Sequence, residues 1–109
     1  MGSREERLAQ NEVISREINE GIEDAKRSIS DEGYARMVCE CGYADCARVV
    51  AITVEEYERV RQDARQFVVV NEHVMPEIEE VLSQFDRFTV VRKRDGTPAE
   101  VAEKTDPRD

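Results

Sequence analysis

The sequence predicts an α+β fold: a long N-terminal helix, a small antiparallel sheet with a cysteine-bearing tip, and two short helices. Three observations lead there. Apolar residues recur at helical spacing through the first quarter of the chain. From Tyr34 the period changes to two, as in a strand exposed on one face. Between two such stretches lies Cys39-Glu40-Cys41-Gly42-Tyr43-Ala44-Asp45-Cys46, a glycine turn with three cysteines around it. At 109 residues the chain has the length of one domain.

The first helix is predicted from Arg4 to Ser28, where Ser3 with Glu6 has the form of a capping box. Leu8, Ile14, Ile18, Ile22, Ala25 and Ile29 fall within an arc of about 120°, with Val13 outside it, and this stripe is expected to be the buried face. Gly21 inside the helix costs about 1 kcal/mol relative to alanine. Glu12–Arg16, Glu23–Lys26 and Glu23–Arg27 have the spacing of favourable surface pairs. Ser30-Asp31-Glu32-Gly33 breaks the helix.

Residues 34–41 and 47–52 read as the two strands of a hairpin. Residues two apart on a strand point to the same side, so Cys39 and Cys41 share a face and Glu40 turns outward. Gly42 allows a sharp reversal that returns Cys46 toward the same point. Thr53 and Glu56 form a second capping box, opening a helix to about residue 62 with Tyr57 and Val60 inward. Residues 67–70 are a third strand, and Asn71-Glu72-His73 is a turn-like link. Pro76 suits the first position of a helix, predicted through Ile78, Val81 and Leu82 to residue 84. Residues 88–92 form a fourth strand that Asp95-Gly96 ends in a turn. In domain terms, residues 1–29 are an N-terminal amphipathic helix, residues 34–94 a metal-stabilised α+β domain, and residues 95–109 a flexible tail with a short helical turn near residues 99–104.

The chain has three cysteines and one histidine in all. Structural zinc takes four ligands, and three thiolates with one imidazole is a recognised set, so Cys39, Cys41, Cys46 and His73 fit one site with none left over. The predicted fold is therefore an α+β body whose sheet carries a zinc knuckle, with Zn2+ as its cofactor. The competing readings of the cysteines are small buried apolar residues and a disulfide or redox centre on Cys41 and Cys46. An iron–sulfur site is less suited, because such clusters usually need four cysteines. Were His73 only a surface residue, Asp45, Glu72 or water would complete the shell. Asp45 and Glu40 are otherwise expected behind the ligands or in solvent.

Charged residues make up 38% of the chain, apolar residues 39%, and the net charge is −9. So little apolar material favours a metal cross-link. The acidic balance is unsuited to general nucleic-acid binding, which needs a positive face. A local exception is Arg92-Lys93-Arg94 near Arg87, read as a solvated strand end or as a local contact to RNA, DNA or an acidic protein. No run approaches the roughly 20 apolar residues of a membrane span. An odd cysteine count without an export signal fits a reducing compartment, and a cytoplasmic location is expected. Four ligands argue for a closed site, where a catalytic zinc keeps one position open. There is no second histidine to act as a base, and no enzymatic activity is expected.

The pattern resembles a group of short proteins of the actinobacterial kind. The resemblance is carried by Asn11-Glu12-Val13-Ile14-Ser15-Arg16-Glu17-Ile18-Asn19-Glu20, by Cys39-Glu40-Cys41 with Cys46, and by Glu56-Tyr57-Glu58-Arg59-Val60-Arg61. His73 and the closing Thr105-Asp106-Pro107-Arg108 complete it. It spans most of the chain and implies a CxC-x4-C plus His metal site, with Glu72-His73 standing where the group has Gly-His. The functions expected are a regulatory or protein-interaction module acting through the N-terminal helix, on a protein partner or a second copy. A redox-sensitive thiol switch, or an accessory factor touching RNA or DNA through the basic strand end, is the alternative.

Overall fold

The structure, a computed structural model, describes residues 4–28, 33–43 and 45–108. Ser3 of the first capping box, Ile29 of the stripe, the break at residues 30–32 and Ala44 of the turn lie outside the described residues. The elements run α1 (Arg4–Ser28), β1 (Ala35–Val38), β2 (Val49–Ile52), α2 (Val54–Val60), β3 (Gln66–Val69), a 3-10 turn (Asn71–His73), β4 (Glu79–Gln84), β5 (Thr89–Lys93) and α3 (Thr97–Lys104). This is the α+β class, with a long first helix, two short ones and antiparallel pairing throughout.

The strands form two sheets rather than one. β1 pairs with β2, Met37 opposite Val50, while the second sheet has the order β3-β5-β4, with Phe67 opposite Val91 and Val68 opposite Val90. The inward residues of both sheets share a core with Tyr57, Val60 and Phe88. The capping box of α2 is present in both directions: Glu56 N donates to Thr53 Oγ1 at 3.1 Å and Thr53 N donates to Glu56 Oε1 at 2.9 Å. The turn before α3 places Gly96 at φ 137°, a conformation that favours glycine.

Three expectations are corrected. The helix predicted from Pro76 to residue 84 is a single turn, with Glu79 N donating to Met75 O at 3.1 Å, followed by strand β4. Ile78, Val81 and Leu82 suit either period over so short a stretch, and pairing with β5 decides between them. The short helical turn expected near residues 99–104 of the tail is longer than expected: it is α3 (Thr97–Lys104), whose Ala99 and Ala102 are buried. Beyond it, Asp106 accepts from the buried Arg61, and Arg108 reaches Glu20 and Glu23, each at 2.7 Å.

The largest correction concerns α1. Its buried residues are Leu8, Ala9, Glu12, Arg16, Asn19 and Glu23, so the charged flank faces the core. Of the apolar stripe, Ile14 and Ile18 are 57% and 48% exposed and Ala25 is exposed, while Ile22 packs partly against the core. Buried polar groups are stable only when partnered, and the partners come from distant elements. Arg16 donates to Ala64 O at 2.8 Å and Ala102 O at 2.9 Å, with its guanidinium 5.0 Å from the Phe67 ring centre. Asn19 mimics a strand, accepting from Val38 N and donating to Val38 O, both at 2.8 Å. Glu12 accepts from Lys93, which Glu79 clamps from the other side. The predicted Glu12–Arg16 surface pair is therefore replaced by two longer-range contacts, whereas Glu23 and Arg27 do lie 4.0 Å apart.

Two buried carboxylates share the single ammonium of Lys93. Burial pushes Glu12 up from 4.5 to about 7, against the pull of Lys93. A carboxyl whose native value lies above its unfolded one holds its proton more tightly in the folded chain. Its contribution to stability is full below about pH 4.5 and is lost as pH rises through about 7. Glu12→Gln is expected to flatten the stability–pH profile in that window, read by urea denaturation with metal saturating; an unchanged slope would refute the assignment. Lys93→Ala, which leaves both carboxylates buried without a partner, is expected to lower stability by about 3–5 kcal/mol.

Candidate metal centre

The connection between β1 and β2 carries the cysteines. Strand pairing continues one step past β1, with Cys39 N donating to Arg48 O at 3.0 Å. Strand alternation then sends Cys39 and Cys41 to one side and Glu40 to the other. The bend at Gly42 rests directly on α1. A Cβ there would lie 2.7 Å from Leu8 Cδ2, and Asn11 Nδ2 donates to Gly42 O at 2.8 Å. Close approach to the helix, rather than a left-handed backbone, is thus what calls for glycine at this position.

His73 arrives from the other sheet, on the 3-10 turn that follows β3. That turn is held at its start, where Thr89 Oγ1 donates to Asn71 Oδ1 at 2.5 Å and Asn71 Nδ2 donates to Phe85 O at 3.1 Å. The Tyr43 ring meets the imidazole edge-on, 5.4 Å between centres, which restrains its rotation.

The four side chains named from sequence converge. Their donor atoms all lie within 4.8 Å of one another. His73 Nδ1 is 3.4 Å from Cys41 Sγ, 3.4 Å from Cys46 Sγ and 3.9 Å from Cys39 Sγ. Tetrahedral zinc with ordinary Zn–S and Zn–N bonds separates sulfur and nitrogen ligands by about 3.6 Å, so the group has the span of one ion's coordination shell. This cluster could hold a metal ion.

Backbone amides point at the sulfurs as well. Val70 N donates to Cys39 Sγ at 3.2 Å. The amides of Cys41, Tyr43 and Arg48, each two residues past a cysteine, hydrogen-bond to Cys39, Cys41 and Cys46 in turn. Donors of this kind favour the thiolate. The Cys41 thiol, hydrogen-bonded to Cys39, holds Cys39 below its ordinary value, with the Val70 amide helping against burial. Cys41 is pushed well up, first by that same bond to Cys39 and then by burial, while burial raises Cys46. Of the three, Cys39 therefore gives up its proton most readily, and a bound cation would draw the protons from the trio.

Glu40, expected to turn outward, is the correction at this site. Cys39 and Cys41 are themselves buried, each 3% exposed, on the side where Cys46 and His73 lie, and Glu40 on the opposite side is 0% exposed. Its carboxylate accepts from Tyr57 Oη at 2.6 Å, Asn19 Nδ2 at 2.9 Å and Val68 N at 2.9 Å. The position between two ligands signals that Glu40 opposes them; no sequence signal says that the protein interior lies on that side. Asp45 and Glu72 stand outside the cluster. Asp45 is exposed on the turn, and Glu72 lies 3.5 Å from Arg48.

The basic strand end does not form an open positive patch. Lys93 is buried between Glu12 and Glu79, Arg92 pairs with Asp63 at 2.8 Å, and Arg87 grips Glu56 at 2.7 Å. Arg94 donates to Pro76 O at 3.1 Å. A nucleic-acid contact through Arg87, Arg92 or Lys93 would first have to break the fold's own ion pairs. No helix among the described residues is long and apolar enough to cross a membrane. Comparison with family models, curated proteins and solved structures found no match to this chain.

Glu40→Ala removes the acceptor shared by Tyr57, Asn19 and Val68 from between two ligands. It is expected to weaken metal binding about 10- to 100-fold, as loss of a group that positions ligands does. Competition with a chromophoric chelator measures this, and unaltered affinity would contradict it.

Proposed function

We propose that the chain is a non-enzymatic interaction module whose fold is closed by one zinc ion bound to Cys39, Cys41, Cys46 and His73. The observation that carries this reading is the His73 Nδ1 position, 3.4–3.9 Å from all three sulfurs. The soft three-sulfur, one-nitrogen donor set suits zinc, and four protein ligands leave no open position for a substrate. Cys39 and Cys41 hang from the first sheet and His73 from the second, so the ion cross-links the two sheets. Metal-binding free energy then becomes folding free energy.

The partner surface in this reading is the outer face of α1. Ile14, Ile18 and Ala25 lie along it, and Gly21 leaves open space between them. Glu17 and Asp24 border the ridge with no ion-pair partner among the described residues. An apolar ridge with an acidic rim, on a chain of net charge −9, suits a partner that presents apolar and basic groups together. Deleting α1 would not test this, because the deletion also removes Glu12, Arg16, Asn19 and Glu23 from the core.

A redox switch is favoured by one specific observation: Cys46 is only half-buried, in an open cleft with Tyr43, Asp45 and Arg48. Peroxide would take two electrons from two thiolates to form a disulfide, releasing water and the metal.

Elemental analysis of protein purified without added metal is expected to give one zinc per chain, lost with thermal stability in each Cys→Ser variant and in His73→Ala. The double variant Ile14→Glu/Ile18→Glu is expected to keep zinc and melting temperature while losing partner capture. A metal-free chain with full stability would overturn the zinc reading. Zinc release at low peroxide, with a Cys41–Cys46 disulfide formed, would move the switch ahead of the purely structural role.

A further inference from the structure

The three-stranded sheet has one closed edge and one open edge. Beside β3 lies the cysteine segment, where Glu40 N donates to Val68 O at 2.8 Å and Val68 N donates to Glu40 Oε1 at 2.9 Å. β4 pairs with β5 on one side and with no other strand among the described residues. From Glu80 to Gln84 every residue of β4 is exposed. Val81, Leu82 and the following Phe85 are 50%, 44% and 46% exposed. Leu82 and Phe85 border a groove of about 240 Å3 whose apolar wall is Val60, Phe88 and Val90 and whose polar wall is Glu56, Arg59 and Gln66.

Edge strands are normally blunted by lysine, proline or inward charge, because their unpaired amides and carbonyls template another strand. Residues 81–85, Val-Leu-Ser-Gln-Phe, carry no lysine, proline or charge, in a chain that is 38% charged, and a β-bulge between Val81 and Ser83 is the one blunting feature in this stretch. The unpaired backbone calls for a strand as occupant, and the charge pattern points to which strand.

We propose that β4 is a self-association edge: a second copy of the chain adds its own β4 antiparallel, making a continuous six-stranded sheet. With the two-fold axis at the bulge of residues 81–83, Glu80 lies opposite the uncharged stretch of the partner subunit. No like charges stand opposite, and two chains of net charge −9 meet at a neutral stretch. Their remaining charges are screened beyond about 8–10 Å at physiological salt. The outer face of α1 is less suited to a second copy, because antiparallel packing there sets the acidic Glu17 rim against itself. Leu82 and Phe85 of each copy are covered near the axis, which closes the groove. This proposal is independent of the metal reading and of a partner on α1.

Sedimentation velocity of the zinc-loaded full chain across a micromolar concentration series tests it. A monomer–dimer equilibrium is expected, with amide exchange of residues 80–85 slowing as dimer forms. Leu82→Lys and Ser83→Lys are each expected to weaken the dimer roughly tenfold or more, with metal content and melting reporting that the variants fold. Ile18→Glu is expected to leave the dimer unchanged. A chain that stays monomeric throughout, exchange at residues 80–85 that ignores concentration, or a dimer dissolved by Ile18→Glu would each overturn it.

Discussion

The constraint on which the rest of this structure depends is the burial of Glu40 between Cys39 and Cys41. A carboxylate in the interior is tolerated only when hydrogen bonds replace its water. The three that do so come from α1, α2 and β3. Satisfying this one side chain therefore draws the first helix, the second helix and the second sheet onto the cysteine segment. The same backbone step that aims Glu40 one way aims Cys39 and Cys41 the other, where Cys46 and His73 meet them. Core and candidate metal centre are two faces of a single short strand extension.

A similar logic runs through the remaining buried charge. Arg16, Arg61, Lys93, Glu12, Glu23 and Glu79 are all buried, each with a partner from a distant part of the chain. Buried ion pairs add little net stability over apolar packing of the same shape, but breaking one is costly. They also tolerate fewer alternative arrangements than apolar contacts do. For a chain with only 39% apolar residues, such a network sets where α1 and α3 dock, while the small apolar core supplies most of the driving force.

Turning the polar flank of α1 inward has a consequence at the surface. The helix hands Ile14 and Ile18 to solvent, and residues 81–85 present another uncharged, largely apolar stretch at the open edge of the three-stranded sheet. The two differ in kind. The helix ridge has an acidic rim and no backbone to pair, so it suits a basic, apolar partner. Residues 81–85 are uncharged and the strand's outer backbone is open, so that edge suits another strand. In the proposed reading, a metal-closed body with two such surfaces would serve assembly.

The α+β class, the α2 capping box, the hairpin, the Gly96 turn and the identity of the four clustered residues were all legible in the sequence. Each rests on local spacing: helical or strand periodicity, a hydroxyl three residues before a carboxylate, or donor atoms counted against a coordination number. Tertiary structure alone decided which side of α1 is inside, which way Glu40 faces, that residues 79–84 pair as a strand, and that the final residues dock. Periodicity defines faces but not their direction. It assigns a charged face to solvent by default, and that default fails when distant residues such as Lys93, Ala102 and Arg108 supply the partners. Those partners lie tens of residues away along the chain, and only folding brings them together.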